Sequence, residues 1–265
     1  MLEKIAQSSL AKAIFPMVTL AIGIVSLQVS HLQHTKNRVS NNENFASAWD
    51  ENNAAQRLAM LSALPKFGYK NIFANWTFLN FLQYFGNSEL RSIVGYGLSD
   101  NYFESIIDND PYFISSYIFL VNSISMYAGK PEQSIDLLNK GLASLKPNVP
   151  SRSYFIWRHK GTDELLFIGD NKAAQNSYQT AAVWAEKSSD KDADLVAKIS
   201  RKTAQFLATD PNSKPAQIGA WSEILLRATD NTIRQKAIAN IEALGGSVLH
   251  SQNGQVTVRY KTNVL

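Results

Sequence analysis

Residues 129–147 read GKPEQSIDLLNKGLASLKP and residues 169–187 read GDNKAAQNSYQTAAVWAEK, and the fold is decided by this pair. Each opens on glycine, which ends a preceding helix readily because the left-handed closing conformation costs it little. Each then continues as a second helix, Pro131 to Leu145 in the first case and Asn171 to Lys187 in the second. Five, nine and twelve residues after Gly129 stand Ser134, Leu138 and Gly141, and the same offsets after Gly169 give Ala174, Tyr178 and Ala181. The helices that the two glycines close are Tyr112 to Tyr127 and Ser153 to Phe167. Since Gly129 and Gly169 are 40 residues apart, the spacing predicts a recurring helix, glycine turn, helix unit.

Outward from this pair the pattern stays helical. Upstream, apolar residues at three- and four-residue intervals predict helices over 54–64, 70–85, 89–96 and 99–107, with Asp110-Pro111 as a stop. Downstream, helices are expected over 192–208, 215–227 and 231–244, the last running into Gly245-Gly246. Only the end differs: VLHSQ-NG-QVTVRY carries an Asn253-Gly254 turn between β-compatible segments, a hairpin signal. The expected class is therefore all-α with a small C-terminal β-hairpin.

The small residue, aromatic, small residue spacing at Ala174, Tyr178 and Ala181 resembles the second helix of a tetratricopeptide (TPR) repeat, where small residues let adjacent helices approach. Phe103 and Ile106 before Asp110-Pro111 resemble the tail of another such unit. The resemblance covers roughly residues 90 to 190. Its period departs from the family's roughly 34, and 112–127 lacks the family's tryptophan and glycine; Trp157 and Gly161 supply those types in the next unit in a shifted register. It implies a TPR-like helical-repeat, or α-solenoid, domain over 54–246, with 247–265 as the hairpin tail.

At the other end, Ala13 to Thr35 is uncharged between Lys12 and Lys36. About 20 helical residues cross a bilayer core, so 1–35 reads as a tail and single transmembrane anchor. A cleaved leader is the main rival, but cutting near Ala21-Ile22-Gly23 would leave Ile24-Val25 at the new start. Lys4 and Lys12 on one side balance Lys36 and Arg38 on the other, so flanking charge gives almost no orientation. The short leading tail favours the main domain on the non-cytoplasmic side, periplasm or lumen. Residues 36–53, rich in Asn and Ser, read as a polar linker. This anchor-plus-repeat layout resembles membrane-tethered tetratricopeptide-type proteins of bacteria, including those of cyanobacterial photosynthetic membranes, which implies docking or assembly of membrane complexes.

Composition narrows the chemistry. The chain has no cysteine, which excludes disulfides, thiol catalysis and Cys-based zinc sites. Its net charge of +4 is spread among interspersed acids and bases, with no basic and aromatic surface for nucleic acid. His31 and His34 share a helix face, but no further ligand lies near in sequence to complete a metal site. His159 and Asp163 form an i, i+4 pair that would suit a general base and its orienting carboxylate, yet no nucleophile or oxyanion motif accompanies them. Gly95-Tyr96-Gly97 lacks the third glycine and preceding strand of a dinucleotide site. The aromatics Trp76, Phe78, Phe81, Tyr84 and Phe85 read as core rather than a cofactor box.

The sequence thus predicts no cofactor, no metal and no catalytic centre. It predicts a concave surface formed by the first helices of the repeats, which would hold an extended segment of a protein partner or a membrane protein complex. In that register Phe119, Ser123, Met126 and Tyr127 would face the groove from one helix, and His159, Asp163 and Phe167 from the next, with Arg158 and Lys160 at its edge. The alternatives are an accessory structural subunit of such a complex, or a small-ligand-binding protein or enzyme using the His159 and Asp163 face.

Overall fold

In a computed structural model of the chain, the residues described are 65–87, 95–228, 231–250 and 256–260, with Ile22, Gly23, Val25, Ser26, Gln28, Val29, Gln56, Leu58, Ala59 and Met60. The chain divides into two compact units, Met1–Asp50 and Glu51–Leu265. In the first, the six described positions are helical and exposed. The rest of the expected anchor over 13–35 lies outside the described residues, as do the linker 36–53, His31, His34 and the Asn253-Gly254 turn. Among the described residues no helix is long and apolar enough to cross a membrane.

The second unit is mostly helical. Helix α1 spans Lys70–Gly86 and α2 Ser99–Asn109. Helix α3 runs over Tyr117–Val121 and continues through Asn122–Tyr127; α4 is Pro131–Leu142. Helix α5 runs over Tyr154–Asp163 and continues through Glu164–Ile168, and α6 is Asn171–Glu186. Then come α7 (Ala193–Leu207), α8 (Lys214–Arg227) and α9 (Asn231–Ala243). Strands β1 (Gly246–His250) and β2 (Val256–Tyr260) pair antiparallel, Gly246 opposite Tyr260 and His250 opposite Val256.

Two expected helices differ at one end each. The 112–127 helix starts at Tyr117, because Asp110 Oδ1 accepts the Tyr112 N–H at 3.0 Å and holds a turn that a short 3-10 segment, Ile114–Ser116, follows. The 89–96 helix falls mostly outside the described residues; its end, from Gly95 (φ 64°), is a turn leading into α2.

The two glycine turns share their backbone. Gly129 and Gly169 have φ of 62° and 80°, the left-handed region that glycine enters without a Cβ clash. Ahead of each, the last helical turn widens to five-residue hydrogen bonding: Ala128 N–H donates to Ser123 O, and Gly169 N–H to Glu164 O. One residue beyond each glycine, Lys130 N–H reaches Ile124 O and Asp170 N–H reaches Glu164 O, both at 2.9 Å. These last two bonds join equivalent residues at the same 40-residue separation. The second helix then begins with Pro131 in its first turn in one case. In the other, Asp170 caps it by accepting the Ala173 N–H at 2.8 Å.

Neighbouring helices pack in chain order. α1 lies on α2, α2 on α3 and α4, α3 and α4 on α5, α5 on α6, and α6 on α7. The α1 end is an aromatic core in which Phe81 meets Phe103 at 4.6 Å and Tyr84 stacks on Tyr102 at 5.4 Å. At the other end, Ala185, Ala193, Val196 and Ala197 bury Tyr154.

Helices α8 and α9 break this order. α8 packs on the widened ends of both α3 and α5. A Cβ on Gly169 would meet Gln217 Oε1 at 2.7 Å, and one on Gly129 would meet Ile233 at 3.4 Å and Ile224 at 3.9 Å. Seven residues from Gln217 to Ile224 span about 10 Å of helix, one interhelical spacing. α8 is therefore a strap across two successive turns. Its apolar face joins Phe167, Trp221, Ile224, Leu225, Ala237 and Ile241 in one buried cluster, over which Val248, Val258 and Tyr260 of the hairpin pack.

Candidate functional site

The strap leaves a cleft of about 370 Å³ between α3, α5 and α8. Ile118, Val121 and Met126 wall it from α3, and Leu166 and Phe167 from α5. Across from them, α8 contributes Ala216, Gly219, Ala220 and Glu223. A Cβ on Gly219 would meet nothing within 4 Å, so the α8 wall stands open there. Three polar residues of α5 line this largely apolar space, Thr162 together with His159 and Asp163, the last two one turn apart.

Asp163 is 2% exposed. Its Oδ2 accepts the Ser125 hydroxyl at 2.6 Å and the Ser134 hydroxyl at 2.7 Å, tying α5 to both helices of the preceding hairpin. Burial raises its pKa to about 7, while the two serine hydroxyls pull it down and the neighbouring Glu164 adds to the rise. The His159 imidazole has no hydrogen-bond partner among the described residues, and no side-chain bond joins it to Asp163. Burial, and then the nearby Arg158 charge, lower its pKa to about 4, so at neutral pH the imidazole is uncharged.

A second polar group lies on the other side of α5. Lys160 Nζ pairs with Glu164 Oε1 at 2.6 Å, with side chains only 15% and 7% exposed. Ser177 Oγ donates to Glu164 Oε2 at 2.6 Å, and the Lys160 ammonium sits 5.4 Å from the Trp157 ring centroid. This pair fastens α5 to α6.

Of the residues that sequence reasoning placed on a partner groove, the structure brings Met126, His159, Asp163 and Phe167 to the cleft. The others go elsewhere. Phe119 packs edge-on against Phe78 at 5.2 Å, between α1 and α3. Ser123 is fully buried and donates to Leu120 O at 3.3 Å. Tyr127 packs on Tyr96 at 4.8 Å and Phe85 at 5.2 Å, with the Arg227 guanidinium 5.7 Å from its ring centroid. Lys160 is in the buried pair with Glu164. Arg158 is half-buried, and its carbonyl accepts the Thr162 hydroxyl at 3.0 Å.

The α8 wall and the serines that hold Asp163 were missed. The small residues Ala216, Gly219 and Ala220, at i, i+3 and i+4, were the signal that one face of α8 carries no bulk. The turn spacing marked Ser134 as a small residue at a helix contact but not as a donor to a buried carboxyl, and Ser125 had no signal of its own, since a serine in a helix ordinarily faces water or its own backbone.

Among the described residues no group of three or more His, Asp or Glu side chains could hold a metal ion. Compared with protein-family models, curated proteins and solved structures, the chain matches none.

Proposed function

We propose that this chain is a membrane-tethered interaction protein, a docking or assembly factor that holds a segment of a membrane protein complex in the α3–α5–α8 cleft. In this reading the helix pairs stack as tetratricopeptide-like repeats, and residues 13–35 anchor them to the bilayer. The observation that carries it is the cleft itself, walled by apolar side chains from the first helices of two hairpins with the same turn bonds. Apolar clefts with a few polar groups suit a partner's side chains inserted from a helix or extended segment. A permanent subunit would use the same surface and differ only in lifetime.

A second reading has its own support. The cleft volume lies within the range of small-molecule sites, and the unpartnered His159 imidazole with the buried Asp163 carboxyl supplies polar anchors. A ligand carrier or enzyme would use those two groups.

Gly219→Phe separates these readings from a merely structural cleft. The new ring fills open space on an exposed stretch of α8, so melting should hold or rise. Loss of co-purifying membrane proteins by this variant supports docking. Unchanged co-purification places the contact elsewhere, and a ligand-dependent melting shift lost in both Gly219→Phe and His159→Ala favours the second reading.

A further inference from the structure

Residues 65–79 read PKFGYKNIFANWTFL. Ile72, Trp76 and Leu79 fall at i, i+4 and i+7 on one face of α1 and are 57%, 58% and 54% exposed. The opposite face is complete, with Ala74, Thr77, Phe81 and Tyr84 buried. Just before the helix, Tyr69 is 61% and Phe67 84% exposed.

Phe67 is the more telling of the two. Its φ is 45°, followed by Gly68 at 87°. A bulky residue in the left-handed region is strained, and here the strain holds a phenyl ring in water, where it gains nothing from the fold. Such an arrangement is explained if the ring meets an apolar phase outside the protein.

The charge pattern says which phase. Between Glu51 and Glu89 the sequence has no acidic residue, while Arg57, Lys66 and Lys70 are basic. Tryptophan, tyrosine and phenylalanine beside lysine, with no carboxylate, is the make-up of a surface at the headgroup and acyl boundary of an anionic membrane. The exposed Asn71 and Asn75 amides suit headgroup hydrogen bonding.

We infer that the Phe67 tip and the Ile72, Trp76, Leu79 face of α1 lie against an anionic lipid surface. The inference rests on the membrane-tethered reading above, and it makes the bilayer a second ligand of the helical unit. α1 would then lie along the interface with its apolar face roughly 5–10 Å into the headgroup boundary.

The absence of cysteine allows a direct test. Full-length Phe67→Cys, Trp76→Cys and, as an exposed control on α7, Lys202→Cys are each labelled with an environment-sensitive dye and reconstituted with phosphatidylcholine and phosphatidylglycerol vesicles. A nitroxide-lipid quencher should dim the dyes at 67 and 76 severalfold more than the dye at 202, with blue-shifted emission only at the first two. Flotation with the vesicles but equal quenching at all three sites overturns the inference and leaves the tether standing. Failure to float overturns both. Dyes at 67 and 76 that are shielded without lipid as protein concentration rises mark a second copy as the occupant, which also overturns it. The double variant Phe67→Ser, Trp76→Ser should keep its melting temperature, since neither ring packs in the core.

Discussion

The hairpins α3–α4 and α5–α6 share the backbone of their turns and have different interiors. Positions 120, 123 and 124 in the first are Leu, Ser and Ile, all fully buried. Their equivalents 40 residues on are Lys160, Asp163 and Glu164, largely buried too but charged or titratable. The fit of small against large also reverses. In the first hairpin the ring of Tyr117, on the first helix, lies over Gly141 on the second. In the second hairpin the ring of Tyr178, on the second helix, lies over Gly161 on the first. The difference teaches that turn chemistry fixes the hairpin, whereas its filling is free to vary as long as volume and hydrogen bonding are satisfied.

Giving the second hairpin the residues of the first tests this most severely. Lys160→Leu alone leaves the buried Glu164 carboxylate with a serine hydroxyl and no cation, and should cost about 4 kcal/mol in denaturant unfolding. Lys160→Leu with Glu164→Ile should recover most of it, because well-packed apolar residues replace a buried pair at little net cost. A double variant as unstable as the single one would show that the ion pair, and not the space it fills, holds α5 to α6.

The glycine contacts give the next largest effect. A Cβ at Gly141 would come within 2.7 Å of Tyr117 Cε1 and 2.8 Å of Cζ, and closer still to the hydroxyl. Tyr117 cannot retreat easily, being buried with its hydroxyl donating to Pro111 O at 2.9 Å. Gly141→Ala should therefore cost about 3 kcal/mol. At Gly161 the nearest Tyr178 atoms are 3.0 Å away, and Gly161→Ala should cost about 1 kcal/mol, relieved in part by better helix propensity. Equal losses would mean that the two contacts are not counterparts.

The smallest net effect is in the wild type's pH dependence, because its two opposed parts offset each other between about pH 4 and 6.5. Asp163 binds its proton more tightly folded than unfolded, its pKa rising from 3.8 to about 7. It therefore favours the fold most at the acid end, and that contribution is lost as pH climbs through this window. His159, lowered from 6.5 to about 4, favours the fold above pH 6.5 and loses its contribution as pH falls toward 4. Against the wild type, Asp163→Asn should melt progressively higher as pH rises from 4 to 7, and His159→Asn progressively higher as it falls from 6.5 to 4. Parallel melting curves for all three would rule out either group as a folding-linked titration.

Much of the helical framework was legible because its punctuation is local. Pro131, Gly129, Gly169, Asp210-Pro211 and Gly245 each act on their own few residues, and observed helix ends such as Leu207, Arg227 and Ala243 lie within a residue of those expected. The widened turns were not legible, since five-residue hydrogen bonding has no side-chain signature in residues 122–127 or 164–168. The site was half legible. The repeat-like register put Met126, His159, Asp163 and Phe167 on the groove face of the first helices, but it could not foresee that α8 would cross the turns and wall the cleft. Nor could it tell that Lys160, on the face beside His159, would turn toward Glu164 and Ser177. Those contacts join residues far apart in the chain, and no local pattern encodes them.

The docking claim is tested most directly by purifying the tagged full-length wild type and Gly219→Phe in mild detergent from native membranes, with native-gel sizing and identification of associated proteins. The wild type should come with one membrane protein complex in stoichiometric amount, and the variant should come alone with its melting intact. A wild type recovered alone as a monodisperse species would contradict the account.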